Sequence, residues 1–169
     1  MGVALTYVSG IVCIPLLQYK ACYFLKKLMP IANIKQLSVH FQADKQLITA
    51  VDDVSFDLNA GETLALLGES GCGKSLTSLA LMRLLPPYGV YGHASEVLIS
   101  SQDLLTLPEQ VMRGFRGRRL AMIFQEPMTA LNPVLSVGEQ LAEALRFNLG
   151  AESSSVKQRM LDLLQEVQI

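Results

Sequence analysis

Residues 66–82, "LLGESGCGKSLTSLALM", place a run of small residues between two apolar stretches, where a packed core would want bulk. Upstream, "ETLALLG" (62–68) is continuously apolar, as in a parallel strand covered on both faces. Downstream, Leu76, Leu79, Ala80 and Leu84 keep a helical period from Lys74 until Pro86 and Pro87 stop it. The order is strand, glycine-rich loop, helix.

Gly68, Gly71, Gly73, Lys74 and Ser75 fit the spacing G-x-x-x-x-G-K-S, the P-loop. Glycines let the backbone curl so that successive N–H groups point inward, and the helix N-terminus adds partial positive charge at the same place. The backbone from Gly68 through Glu69, Ser70, Gly71, Cys72 and Gly73 to Leu76 is therefore expected to hold phosphate oxygens. Lys74 is expected to reach the terminal phosphates as a point charge, and Ser75 to offer its hydroxyl to Mg2+. Cys72 reads as a small side chain in a permissive position, since no histidine stands near it in sequence to activate a thiol.

With 169 residues, half of them apolar, the chain is long enough for one domain with a real core. A formal net charge of -1 leaves no basic nucleic-acid footprint, and the arginines at 113, 116, 118 and 119 lack interleaved aromatics, so they read as a solvated crossover. Cys13, Cys22 and Cys72 show neither zinc-like nor disulfide spacing and suit a reducing compartment.

Residues 1–28 differ in kind from the rest. Nothing from Met1 to Tyr19 carries a charged side chain, and the run is long enough to be a membrane-span candidate, interrupted by Gly10 and Pro15. It lacks the positive start of a secretory signal. If it spans, Lys20, Lys26 and Lys27 place the remainder of the chain in the cytoplasm. The other reading is that this extension is not functional structure and that the globular part begins at Met29.

Beyond it, residues 34–41 and 47–58 read as two strands joined by a polar turn. "PPYGVYGHA" reads as a connection, "SEVLIS" as a strand, residues 105–119 as a partly helical crossover, and "RLAMIF" as a second buried strand ending at Gln125. Ser136 with Glu139 three residues on is a capping-box signature for a helix with Val137, Leu141, Ala144 and Leu145 on one face, stopped by Gly150. Ser155 with Gln158 repeats it, for a face of Val156, Met160, Leu163, Leu164 and Val167.

"GETLALLGESGCGKSLTSLALMRLLP" together with "LAMIFQEPMTALNPVLSVGEQ" closely resembles the ATP-binding subunits of bacterial ABC transporters, in the branch that imports dipeptides, oligopeptides, glutathione and nickel. The resemblance covers residues 34–169. It implies an α/β fold: a P-loop NTPase core over residues 29–128 with a small antiparallel β layer, and the start of an α-helical subdomain over 129–169. It makes Gln125 the Q-loop glutamine, which helps coordinate Mg2+ and the attacking water. Phe41 is similar in placement to the aromatic that stacks on adenine, with plain sheet packing as the alternative. The implied cofactors are ATP and Mg2+. The implied partners are transmembrane permease subunits, a second ATP-binding subunit and, indirectly, a solute-binding protein, at the cytoplasmic face of the bacterial inner membrane.

Subunits of this family continue with an "LSGGQ"-type signature, an apolar strand ending in Asp-Glu and a switch histidine. No "SGG" occurs in these 169 residues, and both histidines, His40 and His93, precede Gln125. The sequence is expected to be the first half of such a domain. Two functions then compete: a transporter ATPase subunit, and a truncated nucleotide-binding module without turnover. A P-loop protein acting on nucleic acid would need basic and aromatic stripes that the sequence lacks.

Overall fold

The computed structural model describes residues 3–8, 11–13, 30–43, 46–124, 130–149 and 153–169. The chain divides into a unit from Met1 to Ile123 and a unit from Phe124 to Ile169. The domain boundary expected at 128/129 lies among residues 125–129, outside the described ones.

Among the described residues, the first unit holds two sheets and two helices, a mixed α/β arrangement. Its first sheet is antiparallel and is built on a long hairpin, β3 (Ala32–Ala43) and β4 (Gln46–Leu58), whose register runs from Ala32 opposite Leu58 to Ala43 opposite Gln46. Ile34, Leu37 and Val39 are all buried, yet the three-residue step from 34 to 37 would put two of them on opposite faces of a regular strand. A register shift between Ile34 and Leu37 removes the conflict: Gln36 takes a φ of 46° and its N–H donates to Ser55 Oγ at 2.8 Å. The sheet continues through β7 (Glu96–Ile99) and β8 (Gln102–Asp103) in the order β4-β3-β7-β8. A short β6 (Gly89–Tyr91) also pairs with β3, inside the stretch expected to be a plain connection.

The second sheet has the order β5-β2-β1-β9: β5 (Thr63–Ala65), β2 (Ile11–Cys13), β1 (Val3–Val8) and β9 (Leu120–Ile123). Among the described strands of this sheet, only the β1–β9 pairing is parallel. The buried parallel strand expected over residues 62–68 is thus corrected. β5 has three residues, only Leu64 is half-buried, and its neighbour β2 runs antiparallel. It lies at the edge of the sheet among the described residues, so its outer side gains no second ladder there. Residues 3–8 and 11–13, at the start of the apolar extension, are extended strands, and no described helix is long and apolar enough to cross a membrane.

Helix α1 (Lys74–Leu81) ends four residues before the expected stop at Leu85. Arg83 turns left-handed at φ 52°. Arg116 caps the end: its Nε donates to Met82 O at 2.8 Å and its Nη2 to Arg83 O at 3.1 Å, while its Nη1 meets Glu109 Oε1 at 2.6 Å. Arg83 reaches on to the carbonyls of Leu104 and Leu107. The solvated-crossover reading therefore holds for Arg113, Arg118 and Arg119, which are exposed, and fails for Arg116, which is largely covered because it satisfies helix-end carbonyls. Arg116 also holds the carboxyl of Glu109, the first residue of α2 (Glu109–Phe115), below the usual carboxylate range. α2 adds Met112 and Phe115 to the core, beside Ala80, Leu81 and Leu120.

Among its described residues the second unit has two long helices, α3 (Val137–Leu149) and α4 (Ser153–Glu166). The capping box on α3 forms as expected. Glu139 Oε2 accepts from the Ser136 N–H at 2.8 Å and from Ser136 Oγ at 2.7 Å, and the Glu139 N–H donates to Ser136 Oγ at 3.2 Å. α4 starts two residues before the expected cap, which puts Ser155 inside the helix, and Gln158 donates to Asp162 Oδ1 at 2.9 Å. Leu145 and Val156 are the buried members of the two faces, while Val137, Ala144 and Val167 stay exposed.

Replacing Arg116 by Met keeps the aliphatic stem and removes the donors to Met82 O and Arg83 O. Hydrogen bonds from a charged donor and the cost of stranded carbonyls imply a destabilisation of about 3 kcal/mol. The exposed Glu109 contact adds little. A urea titration followed by circular dichroism is the check, and an unchanged midpoint would show that the α1 end does not depend on this cap.

Candidate functional site

The glycine-rich loop lies where the sequence places it, between β5 and α1. Its C-terminal end is fixed by a close backbone approach. Gly73 has φ 91°, and a Cβ built on it would stand 2.7 Å from Ala50 O and 3.4 Å from Val51 Cγ2. No side chain fits there, in either conformation or space. Gly73 O then accepts from the Thr77 N–H at 2.8 Å and Thr77 Oγ1 at 3.0 Å, and Ser78 Oγ turns back to Lys74 O at 3.4 Å. Thr77 and Ser78 are buried, so the first turn of α1 is anchored from inside. Sequence reading missed this role for Ala50, Val51, Thr77 and Ser78; the signal available was a pair of hydroxyls at a half-apolar helix start.

The opposite side of the loop is open. Leu67 and residues 68–72 are exposed, as is Ser75, and Leu76 turns inward against the core. No side chain of the N-cap residue closes the start of α1, and no acidic residue stands in its first turn. The N–H groups and the positive end of the helix thus face an anion without competition from a carboxylate. Lys74 Nζ folds into the loop and donates to Gly68 O and Glu69 O, both at 2.7 Å, with Cys72 Sγ at 3.4 Å. The Cys72 N–H donates to Glu69 O at 3.3 Å, closing a turn across Ser70 and Gly71, whose φ is 84°. The structure therefore brings Gly68, Glu69 and Cys72 to the Lys74 ammonium, while Ser70, Gly71, Gly73 and Ser75 lie on the same loop and helix start.

Phe41 lies on β3, opposite Ile48 of β4 and Gly89 of β6. It is half-buried against the core, and its Cε1 is 3.2 Å from where a Cβ on Gly89 would be. β4 links the two places: Ile48, beside Phe41, is two residues, about 7 Å of strand, from the Ala50 carbonyl that touches Gly73. Gln125 lies outside the described residues. Among the described residues no group of three or more His, Cys, Asp or Glu is placed to hold a metal ion by itself.

The sequence pattern of the family described as "ABC transporter" matches residues 51–169. The chain is 45% identical over 139 residues to the dipeptide transport ATP-binding protein DppD of Bacillus subtilis, covering 82% of this chain and 42% of the relative. It is 44% identical over 141 residues to the peptidoglycan transport ATP-binding protein YejF of Agrobacterium fabrum, covering 83% and 26%. It is 49% identical over 137 residues to the glutathione import ATP-binding protein GsiA of Escherichia coli K12, covering 76% and 22%. The chain thus spans less than half the length of these relatives.

Among solved structures, it is similar to the dimeric ATP-binding cassette MJ0796 in a post-hydrolysis state bound to ADP and Pi, with a TM-score of 0.67 at 22% identity, covering 79% of this chain and 56% of that one. That likeness concerns the fold. With a phosphate-type loop set between strand and helix, and a family pattern that covers the loop and everything after it, the chain belongs to the ABC transporter family.

Proposed function

We propose that this chain supplies the ATP-binding part of a subunit that couples ATP binding and hydrolysis to import of a peptide or a related small solute through separate transmembrane subunits. The carrying observation is the loop itself, in which the carboxylate-free start of α1 and the Lys74 ammonium converge. The relatives named for dipeptide, peptidoglycan and glutathione transport support the solute class. On this reading the chain works at the cytoplasmic face of the bacterial inner membrane, beside permease subunits and a second ATP-binding subunit, and depends on a solute-binding protein elsewhere.

In the site, Gly71, Gly73 and the first turn of α1 hold the phosphates through backbone N–H groups, and Lys74 exchanges main-chain carbonyls for phosphate oxygens. Ser75 suits Mg2+, which takes oxygen ligands in an octahedral set and keeps several waters, so that one protein hydroxyl beside phosphate oxygens is a fitting donor set. Held by the Ser75 hydroxyl, the ion would supply positive charge that offsets the charge on the phosphates. Gln125 orients the water, and Phe41 offers a ring for the base. Positioning and charge stabilisation carry most of phosphoryl transfer.

Replacing Lys74 by Ala should weaken ATP binding by roughly 10- to 100-fold, the value of a charge-assisted hydrogen bond. Titration calorimetry reads it, and unchanged affinity removes the loop from the site. Phe41→Ala should lower affinity for ATP and leave that for pyrophosphate alone, because stacking touches only the base. Equal loss for both ligands would assign Phe41 to core packing.

Turnover separates the whole subunit from this chain. None of these 169 residues forms the signature or the Asp-Glu strand end that the resemblance assigns to catalysis. The chain by itself is therefore expected to bind ATP weakly at best and to release phosphate no faster than its Lys74→Ala variant. Sustained phosphate release by gel-filtered protein, abolished in that variant, would show that the described loop and Gln125 suffice.

A further inference from the structure

We infer that residues 3–8 and 11–13 are an internal strand pair that positions the P-loop, by joining the strand that leads into it to β9. β5 hands the chain directly to the loop and has only three residues, and its one strand neighbour among the described residues is β2, with Ile11 opposite Ala65, Val12 opposite Leu64 and Cys13 opposite Thr63. β2 pairs in turn with β1, with Thr6 opposite Cys13 and Val8 opposite Ile11. β1 then runs parallel to β9, from Val3 opposite Leu120 to Thr6 opposite Ile123. β5 and β9 share no ladder of their own; among the described residues the strand pair is the only backbone link between them within this sheet.

The sequence suits this place. "VALTYV" and "IVC" are uncharged and rich in β-branched residues, as strands with a neighbour on each side are. They do not suit a bilayer. A spanning segment has to be a long helix or part of a closed barrel, and strands of six and three residues in an antiparallel pair are neither. A three-residue strand without a partner frays, since a few residues cannot offset the entropy of ordering them. The loop after it would then lose its fixed start, and with it the preorganised N–H groups that an anion needs. This inference rests on the nucleotide-binding reading only for its affinity measurement.

The first test is independent of nucleotide. Cys13 is opposite Thr63 in the ladder, and directly opposite residues of an antiparallel pair lie within disulfide reach. In the full chain carrying Thr63→Cys, copper phenanthroline should take two electrons from the two thiols and join positions 13 and 63, as peptide mapping would show. A Ser55→Cys chain, altered on the other sheet, should not cross-link to Cys13. Vesicles of phosphatidylethanolamine and phosphatidylglycerol should leave the yield unchanged. Failure of the 13–63 bond in folded protein, or its loss when vesicles are added, overturns the inference.

The second test asks for positioning. Leu5→Pro removes one N–H from the middle of β1 in the full chain. Amide hydrogen exchange at residues 64–65 and 121–122 should quicken by at least roughly tenfold and ATP affinity should fall by a similar factor, while the β3–β4 ladder keeps its protection. Unchanged exchange at 64–65 overturns the positioning role. Faster exchange there with unchanged ATP affinity overturns it too, leaving residues 3–13 as a strand pair only. Where the variant loses both sheets at once, the cross-link in the Thr63→Cys chain carries the decision.

Discussion

The site depends on one close contact, the backbone of Gly73 against the carbonyl of Ala50. A Cβ at position 73 would lie 2.7 Å from that oxygen, nearer than real side chains come, and the residue also takes a φ of 91°. Both demands select glycine. Because Ala50 belongs to the long hairpin, whose buried Val51 and Val39 are part of the core, the contact ties the C-terminal end of the loop to the longest ladder of the unit. α1 begins at the next residue and inherits that placement, with Thr77 bonded twice to the Gly73 carbonyl. Its other end is set as firmly, by the Arg116 and Arg83 side chains on main-chain carbonyls.

Charge inside the loop follows from that geometry. The Lys74 ammonium has three donors and finds two neutral carbonyls and a thiol. A phosphate oxygen is an ionised acceptor, roughly twice as strong as a neutral one, so on the proposed reading an anion would replace weaker partners of Lys74 by stronger ones. Glu69 is the nearest acidic residue in sequence, and its carbonyl rather than its carboxyl holds the ammonium. That distinction matters, since a carboxylate in that position would neutralise the charge an anion requires.

Local chemistry was legible in the sequence, and long-range contacts were not. The loop, the β3–β4 hairpin and the Ser136–Glu139 box all rest on residues a few positions apart, and each formed where the spacing put it. The stop of α1 at Leu81 rests instead on Arg116, 34 residues from the Met82 carbonyl it caps, and the apolar period alone carried the helix too far. β5 misled for a related reason. An apolar run says that side chains leave water, and it does not say how long the ladder is or which strand lies beside it. The bulge at Gln36 shows the same limit, because its Ser55 partner sits on the other strand of the hairpin.

The apolar N-terminal run shows why composition cannot separate two solvents. A membrane span and a central strand both shed charge because both leave water, so hydropathy scores them alike. They differ in where the backbone N–H and C=O groups find partners. In a bilayer those partners have to lie within a helix or around a closed barrel. For β1 and β2 they lie on each other and on β5 and β9, two segments more than 50 residues apart in sequence, one of which leads into the glycine-rich loop. Gly2, Gly10 and Pro15 would weaken a long helix, and in sequence all three fall outside the two strands, before, between and after them. The interruptions that count against a span thus leave both ladders intact, so one sequence property argues against the bilayer and is compatible with the sheet.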